Sequence, residues 1–380
     1  MSGKSRFANV EWPVLLFVLA YHVGLLIGLP VYFSHFTPSL GLVVASVVLL
    51  FLSEIGIGGA YHRYYAHRCY DLARPAEWVL LFLATLAMQG SVLQWSHDHR
   101  RHHAFVDTDD DPYSIKKGFW FAHCLWLFHK QPPMDDKWVR DLLKSPVLRF
   151  QHKYGHYLGV AANVLVWLLV GWMVRDFLGA FVLAWWTRLA VSHHFTWFIN
   201  SLAHTWGERT YSREHSAVDN FVIAVLTVGE GYHNYHHTFA SDYRNGVRWY
   251  HFDPTKWTIW TLSKLGLASN LKRFNTYRIR SRLLMEDKKL LLATIRERAH
   301  VKKLELEHLI HGMAETLQTK LVQMRSLADE LKKLERRKAE RDTRRVLRRE
   351  LKQLKQSLRQ DWRSWSRLCG AVLDAPPMSA

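Results

Sequence analysis

The chain has 380 residues, of which 49% are hydrophobic and 13% aromatic, so it is too apolar for a disordered protein and can bury a sizeable core. Its three cysteines, Cys69, Cys124 and Cys369, form no CxxC pair, which argues against a disulfide framework and a thiolate metal site. The formal net charge is +18, and residues 271–380 carry 28 Lys or Arg against 14 Asp or Glu.

Four apolar segments are each near the length that ~30 Å of hydrocarbon requires, and we predict that they cross a membrane as two helical hairpins. They are 12–33, 40–57, 157–174 and 178–199. The first is too long for the apolar part of a signal peptide and no small-residue cleavage site follows it, so we expect it to remain as a span. Segment 34–39 has no Lys or Arg, whereas 63–153 is rich in both. By the positive-inside rule, both termini and the long segment are cytoplasmic.

A fifth apolar stretch, 78–93, is long enough to suggest another span. Histidine clusters stand just before it, at His62 and His67, and just after it, from His99 onward. A crossing would place these clusters on opposite membrane faces. We therefore expect this stretch to lie along the interface, so that the clusters share one cytoplasmic site.

Nine of the 23 histidines fall in short clusters beside these membrane segments. They are His62 and His67 in HRYYAH, His99, His102 and His103 in HRRHH, His204 in NSLAH, and His233, His236 and His237 in HNYHH. Residues three and four apart share one face of a helix, so each triplet is expected to aim at one point. Five residues of α-helix would turn the side chains of the first pair apart by ~140°, so a bulge or helix end is expected there.

Neutral imidazole is a ligand for iron, zinc, copper and nickel, and nine imidazoles are more than one ion accepts. The clusters therefore predict two metal ions. Hydrolysis at zinc needs only three protein ligands and a position for water. A larger set beside a membrane favours a redox pair that activates oxygen.

The C-terminal part of the chain has a different pattern. Residues 278–359 contain no proline and one glycine, and their apolar residues recur at steps of three and four, which indicates long amphipathic or coiled-coil-like helices. The pattern breaks at 335–345, so a helical hairpin or an imperfect coil fits as well as one rod. The basic charge fits a solvated face or anionic lipid, and no nucleic-acid motif accompanies it. We predict a membrane domain, 1–277, and a helical tail, 278–380.

The boxes HxxxxH, HxxHH and HNYHH, with NSLAH, resemble those of the membrane fatty acid desaturase family. Within it they are most similar to acyl-CoA desaturases of the bacterial type that act at the ninth carbon. The segments DTDDDPYSIKKGFWFAHCLWLF from Asp107 and GEGYHNYHHTFASDYRNG from Gly229 extend the similarity. It covers about 12–272 and leaves the tail outside.

The resemblance implies an all-α membrane protein with four transmembrane helices, an interfacial helix, a cytosolic histidine-rich cap that holds two metals, and here a C-terminal helical extension. It implies two Fe²⁺ ions bound by the nine histidines, with Asn200 reaching one ion through water. With O₂ and two electrons, such an enzyme inserts a cis double bond and forms two waters. Gln89, Trp95 and Thr196 match the residues that border the bend of the acyl tunnel in that family.

One position departs from the family. The acyl-CoA enzymes have an arginine where this chain has His97, and an arginine suits a CoA phosphate. The acyl carrier is therefore open between CoA and a membrane lipid. Other basic residues that could meet CoA are Arg100, Arg101, Lys116 and Lys117.

Two electrons per turnover must come from another protein, because the sequence has no haem-binding HPGG, no CxxC ligand set and no glycine-rich nucleotide motif. A ferredoxin-, flavin reductase- or cytochrome b5-type donor is implied. We expect it to dock on the cytoplasmic face near the third box, at Arg244, Arg248 and Lys256.

Two other functions stay open at this point. A membrane hydroxylase or ketolase uses the same class of histidine boxes, although alkane hydroxylases usually carry a glutamate in the first box, which HRYYAH lacks. A membrane-anchored coiled-coil scaffold would make the tail the functional part and would leave nine histidines unexplained.

Overall fold

The computed structural model describes residues 9–297, 303–336 and 341–374, which belong to two compact units. The first unit takes in the chain up to Thr210 together with Glu214–Arg273. The second contains Tyr211–Arg213 and the chain from Phe274 onward. The domain boundary expected after residue 277 stays a prediction.

In the described residues of the first unit the secondary-structure elements are helices, apart from one short antiparallel pair of strands, β1 (Asp71–Leu72) and β2 (Ala268–Ser269). Its helices are α1 (Trp12–His35), α2 (Leu40–Gly56) continued by a π-helical stretch (Ile57–Ala66), α3 (Arg74–Leu86), α4 (Val92–Phe105), α5 (Phe119–His123), α6 (Pro146–Val174), α7 (Phe177–Gly179) continued by a second π-helical stretch (Ala180–Thr187), α8 (Arg188–Ser201), α9 (Phe221–Leu226), α10 (His233–Thr238) and α11 (Pro254–Lys264). Short 3₁₀ turns lie at Ile115–Lys117, Leu125–Phe128, Asp136–Trp138 and Leu202–His204.

Three helices in the described part of the chain are long and apolar enough to cross a membrane: α1, Leu40–Ala66 and α6. They contain the first three predicted spans. Ser39 and Ser145 cap α2 and α6, each accepting a hydrogen bond from a backbone N–H of the first turn. Many large apolar side chains on these helices are exposed to the surroundings, as lipid-facing residues are.

The fourth predicted span is helical, but it is less apolar than the other three because it contains Arg188, His193 and His194. Arg188 and His193 form hydrogen bonds within the protein. The Arg188 guanidinium is buried and donates to Ser53 Oγ at 2.9 Å and to the Leu86 carbonyl at 3.1 Å. That this segment crosses the membrane stays a prediction.

The stretch 78–93 does not form one long helix. Helix α3 has 13 residues and ends at Leu86, and α4 begins at Val92. Thirteen residues rise ~20 Å, which is too short for ~30 Å of hydrocarbon. Trp78, Val79 and Phe82 on α3 are exposed. An interfacial position therefore stays the prediction for this helix.

The second unit consists of α12 (Thr276–Glu297), α13 (Lys303–Arg336) and α14 (Arg341–Leu373). It has a core of its own, which includes Leu284, Leu291, Leu317, Leu321, Leu358 and Trp365. The tail is thus helical as predicted, with three helices in the residues that the structure describes; coiled-coil packing stays a prediction.

Candidate metal centre

The structure brings the nine predicted histidines together in two groups. Within each group one ring nitrogen per residue lies within 4.8 Å of the others. The five-histidine group contains His62, His67, His99, His103 and His236. The four-histidine group contains His102, His204, His233 and His237. Both groups belong to the first unit and most of their side chains are buried.

The first pair, His62 and His67, lies on the π-helical end of α2. The backbone N–H of His67 donates to the carbonyl of His62 at 3.1 Å, five residues back along the chain. A helix with this hydrogen bonding needs about one residue more per turn, so residues five apart share a face. The two ring centroids are therefore 4.9 Å apart. The expected bulge is thus a π-helical stretch.

The expectation that each histidine triplet aims at one point is wrong. On α4, His99 and His103 join the five-histidine group, whereas His102 joins the other. On α10, His233 and His237 join the four-histidine group, whereas His236 crosses to the first. The residues four apart stay together and the third is rotated by ~100° from its neighbour, so each helix serves both groups.

Within each group, Nε2 atoms lie at short distances from one another. The separations are 3.0 Å for His62–His236, 2.8 Å for His67–His99, 2.9 Å for His103–His236, 3.2 Å for His102–His237 and 3.1 Å for His233–His237. Two nitrogens bound ~2.1 Å from one ion lie about 3.0 Å apart at a right angle and about 3.4 Å apart at a tetrahedral angle. The spacing therefore fits nitrogens that share an ion.

A buried carboxylate lies behind the five-histidine group. Glu230 contacts His62 Nδ1 at 2.8 Å through one oxygen and accepts from Arg63 at 2.8 Å through the other. Burial alone would raise the pKa of Glu230, but the charge of Arg63 and the bonded imidazole lower it to about 2. Arg63 is fully buried and also pairs with Asp253 at 3.0 Å. The charged carboxylate thus fixes the orientation of the His62 ring.

The four-histidine group has the same kind of support. His102 Nδ1 lies 2.9 Å from Asp111 Oδ1, and His204 Nδ1 lies 2.7 Å from Ser216 Oγ. The Ser216 hydroxyl in turn donates to Asp107. His204 Nε2 is buried without a hydrogen-bond partner, so its lone pair is available to a metal. Sequence reasoning missed Glu230, Asp111 and Ser216, although two of them lie in the quoted segments.

Burial, and then the positive charge of neighbouring groups, lower the pKa of seven of the nine imidazoles well below the ordinary value. They are His67, His99, His103, His204, His233, His236 and His237. These rings are therefore neutral near pH 7. The neutral ring is the form that binds metal.

The three predicted substrate residues also meet. Gln89 Nε2 donates to Thr196 Oγ1 at 2.7 Å, and Trp95 Nε1 donates to Gln89 Oε1 at 3.3 Å. The Trp95 ring stacks on His99 with centroids 4.8 Å apart, which puts the trio beside the five-histidine group. Asn200 lies in the last turn of α8, half-buried, and its role as a ligand stays a prediction.

Several charged residues singled out in the sequence have internal partners. His97 contacts Asp98 at 2.8 Å and accepts from the backbone N–H of Asp135 at 3.1 Å. Arg100 pairs with Asp141 at 2.7 Å. Lys256 is buried and its ammonium donates to the Gly246 carbonyl at 2.7 Å, so it offers little charge to a partner.

The chain is similar to known desaturases over most of its length. A family model described as fatty acid desaturase matches residues 37–268. A probable acyl-CoA desaturase of Schizosaccharomyces pombe is 39% identical over 71% of this chain and 58% of its own length. Acyl-CoA desaturase 1 of Saccharomyces cerevisiae is 35% identical over 64% of this chain and 48% of its own length. The sn-1 stearoyl-lipid 9-desaturase of Anabaena variabilis is 34% identical over 71% of this chain and 97% of its own length. The chain thus spans about half the length of the two yeast relatives.

Proposed function

Because the chain belongs to the fatty acid desaturase family, we propose that it is an oxygen-dependent desaturase that holds two iron ions and inserts a cis double bond, at carbon 9, into a saturated acyl chain. One observation carries the proposal. Nine histidines from distant parts of the chain form two buried groups with nitrogen spacings that fit two ions.

The residues present fit iron. Each group supplies at least four imidazole nitrogens. In both groups a carboxylate contacts one imidazole directly, at His62 and at His102. When bound, the iron pair would supply the reduction of O₂ and the removal of two hydrogens from neighbouring methylenes. Asn200 is proposed as a further ligand through water.

The protein itself must hold the acyl chain, because methylene groups offer no polar handle. The hydrogen-bonded Gln89, Trp95 and Thr196 lie beside the five-histidine group and would fix a bend in the chain there. A fixed bend presents one pair of carbons to the site, and such positioning is what selects the bond that reacts.

The acyl carrier and the electron donor are the remaining parts of the proposal. Relatives are named for acyl-CoA and for stearoyl-lipid substrates, and His97 replaces the arginine of the acyl-CoA enzymes. We favour acyl-CoA, with an acyl-lipid as the alternative. A separate ferredoxin-, flavin- or cytochrome b5-type donor would dock near the third box, where Arg244 and Arg248 remain candidates. The histidine groups and both termini are proposed to be cytoplasmic.

Gas chromatography–mass spectrometry of fatty acids from a desaturase-deficient host that expresses the chain tests the proposal. We expect new monounsaturated acids with the double bond at carbon 9, and none from a variant with His236→Ala and His237→Ala. Hydroxylated or keto products would show that the chain is a membrane hydroxylase or ketolase instead. The absence of any product, with iron bound and a donor supplied, would favour the scaffold function.

A further inference from the structure

Helix α14 carries ten Lys or Arg residues from Arg341 to Arg367, and these ten residues are here called the basic stripe. At ~100° per residue they fall within an arc of about 140° around the helix. The core residues Leu358 and Trp365 point away from that arc. The stripe therefore follows a side of α14 next to its packed side, over ~39 Å.

The stripe is available for contact. Nine of its ten side chains are exposed, and the tenth, Arg344, is half-buried. The helix contains only three acidic residues, Asp342, Glu350 and Asp361, and at the same ~100° per residue all three lie outside the arc. Most of the positive charge of the stripe is therefore not balanced on its own helix.

Helix α13 shows that this charge is not needed to build the unit. It has 34 residues against 33 in α14, packs into the same core and carries six Lys or Arg and six Asp or Glu. Its charge is balanced, as on an ordinary solvated helix. By the same count α14 has ten basic and three acidic residues. Contact with water accounts for the balanced charges of α13. It does not account for the excess of basic over acidic residues on α14.

The chemistry of the stripe fits a surface with many anions. Protein interfaces have an apolar or aromatic centre, with charged residues depleted there. The large exposed apolar residues of α14 are Val346, which lies outside the arc, and Leu373, which lies more than one turn beyond the last residue of the stripe. Lipid headgroups require only positive charge, and each Lys or Arg near an anionic leaflet adds to the attraction.

The chain also links α14 covalently to helices that could enter such a surface. Three of its helices are long and apolar enough to cross a membrane, so α14 is tethered to a bilayer at high effective concentration. We propose that the basic stripe binds the anionic headgroups of membrane lipids. This inference does not depend on the proposed desaturase activity, since it concerns α14, which lies outside the region that the family model matches.

The test uses the full chain in phosphatidylcholine nanodiscs, which carry no net charge. These are mixed with sucrose-loaded vesicles of three parts phosphatidylcholine to one part phosphatidylglycerol, and the bound fraction is measured after sedimentation. We expect binding to these vesicles at roughly 0.1 M salt, none to phosphatidylcholine vesicles, and release at roughly 0.5 M salt, where the screening length falls to ~4 Å.

Two matched variants locate the binding surface. One carries Arg349→Gln, Lys352→Gln, Arg359→Gln and Arg363→Gln on the stripe. The other removes four exposed charges from α13 through Arg325→Gln, Lys332→Gln, Lys333→Gln and Arg336→Gln. Both lose the same net charge. We expect the partition coefficient to fall about ten-fold or more only in the stripe variant.

A charge-conserving variant shows whether substitution at these positions disturbs the fold. Arg349→Lys, Arg359→Lys and Arg363→Lys should bind the vesicles like the unaltered chain, with unchanged helicity by circular dichroism. Equal binding by the stripe and α13 variants would overturn the proposal, as would no binding by the unaltered chain. Displacement from the vesicles by RNA at lower concentration than by soluble glycerol phosphate polymers would also overturn it, in favour of a nucleic-acid surface.

Discussion

Glu230 contacts the proposed ligand His62 without belonging to either histidine group, and we expect the negative charge of Glu230 to matter for metal binding. Its pKa is lowered to about 2, so the carboxylate is charged at every physiological pH and orients the His62 ring. Glu230→Gln keeps the shape but removes the charge. We expect iron affinity at the five-histidine group to fall about 10- to 100-fold, measured by metal content against a chelator series.

The exposed Glu208→Gln is the matched control for that substitution and should leave iron binding unchanged. An unaltered affinity in Glu230→Gln would show that the carboxylate has no part in orienting His62. The Tm of the Glu230→Gln variant is compared with that of the unaltered chain. This comparison distinguishes weaker metal binding from loss of the folded structure.

Thr196 fixes Gln89, and through it Trp95, at the proposed bend of the acyl chain. Thr196→Val keeps the volume but removes the hydroxyl that accepts from Gln89. We expect slower turnover and a spread of double-bond positions, read by mass spectrometry of derivatised products. Thr187→Val, on the same segment but bonded only to the Val182 carbonyl, should keep the position. A single product from Thr196→Val would contradict a role in positioning.

For individual residues, the sequence predicts the candidate metal-binding histidines better than the residues that hydrogen-bond to them. All nine histidines could be predicted to come together, because each cluster is local and has a helical or near-helical spacing. Glu230 could not be assigned, since its partner Arg63 lies 167 residues earlier in the chain. Nothing in a single sequence shows which distant carboxylate meets a given imidazole.

Among the elements, α9 and the start of the third box approach each other backbone to backbone. A Cβ on Gly231 would collide with the main chain of Ile223 and Ala224, which cannot move aside like a flexible side chain. Gly231→Ala should therefore displace α10 and cost about 1–3 kcal/mol of stability. We expect lower metal content and a lower Tm.

Gly312→Ala is the matched control, since a Cβ there meets open space within α13. Alanine is favoured over glycine inside a helix, so this change should stabilise by roughly 0.5–1 kcal/mol without altering metal content. Equal behaviour of the two variants would mean that the approach of α9 to α10 is not tight.

The π-helical end of α2 is a part of the secondary structure that the sequence predicts only incompletely. The five-residue spacing in HRYYAH indicates that regular α-helix cannot continue, but it does not say whether the chain bulges or ends. The answer depends on tertiary contacts that keep Ile57–Ala66 wound while both rings face one group. Similarly, the inward partners of Arg188 explain why the fourth segment is polar for a span.

On the scale of the whole molecule, patterns with one strong period were easy to predict and mixed patterns were not. The first three apolar segments and the helical tail appear as expected. The division of the tail into three helices depends on side-chain packing around Leu317 and Trp365, which periodicity alone does not give. The two histidine groups belong to the first unit, whose folding is coupled to their protonation.

This coupling predicts that the metal-free chain loses stability as pH falls. Seven imidazoles of the two histidine groups have pKa values lowered by desolvation, whereas the unfolded chain has ordinary values of ~6.5. Below that pH the unfolded chain binds protons that the folded chain does not, so the free energy of unfolding decreases. The Tm of chelator-treated protein should therefore drop between pH ~7.5 and ~5.5. His204→Gln should reduce this dependence, whereas the exposed His308→Gln should not. A constant Tm would mean that the buried rings take up protons without unfolding.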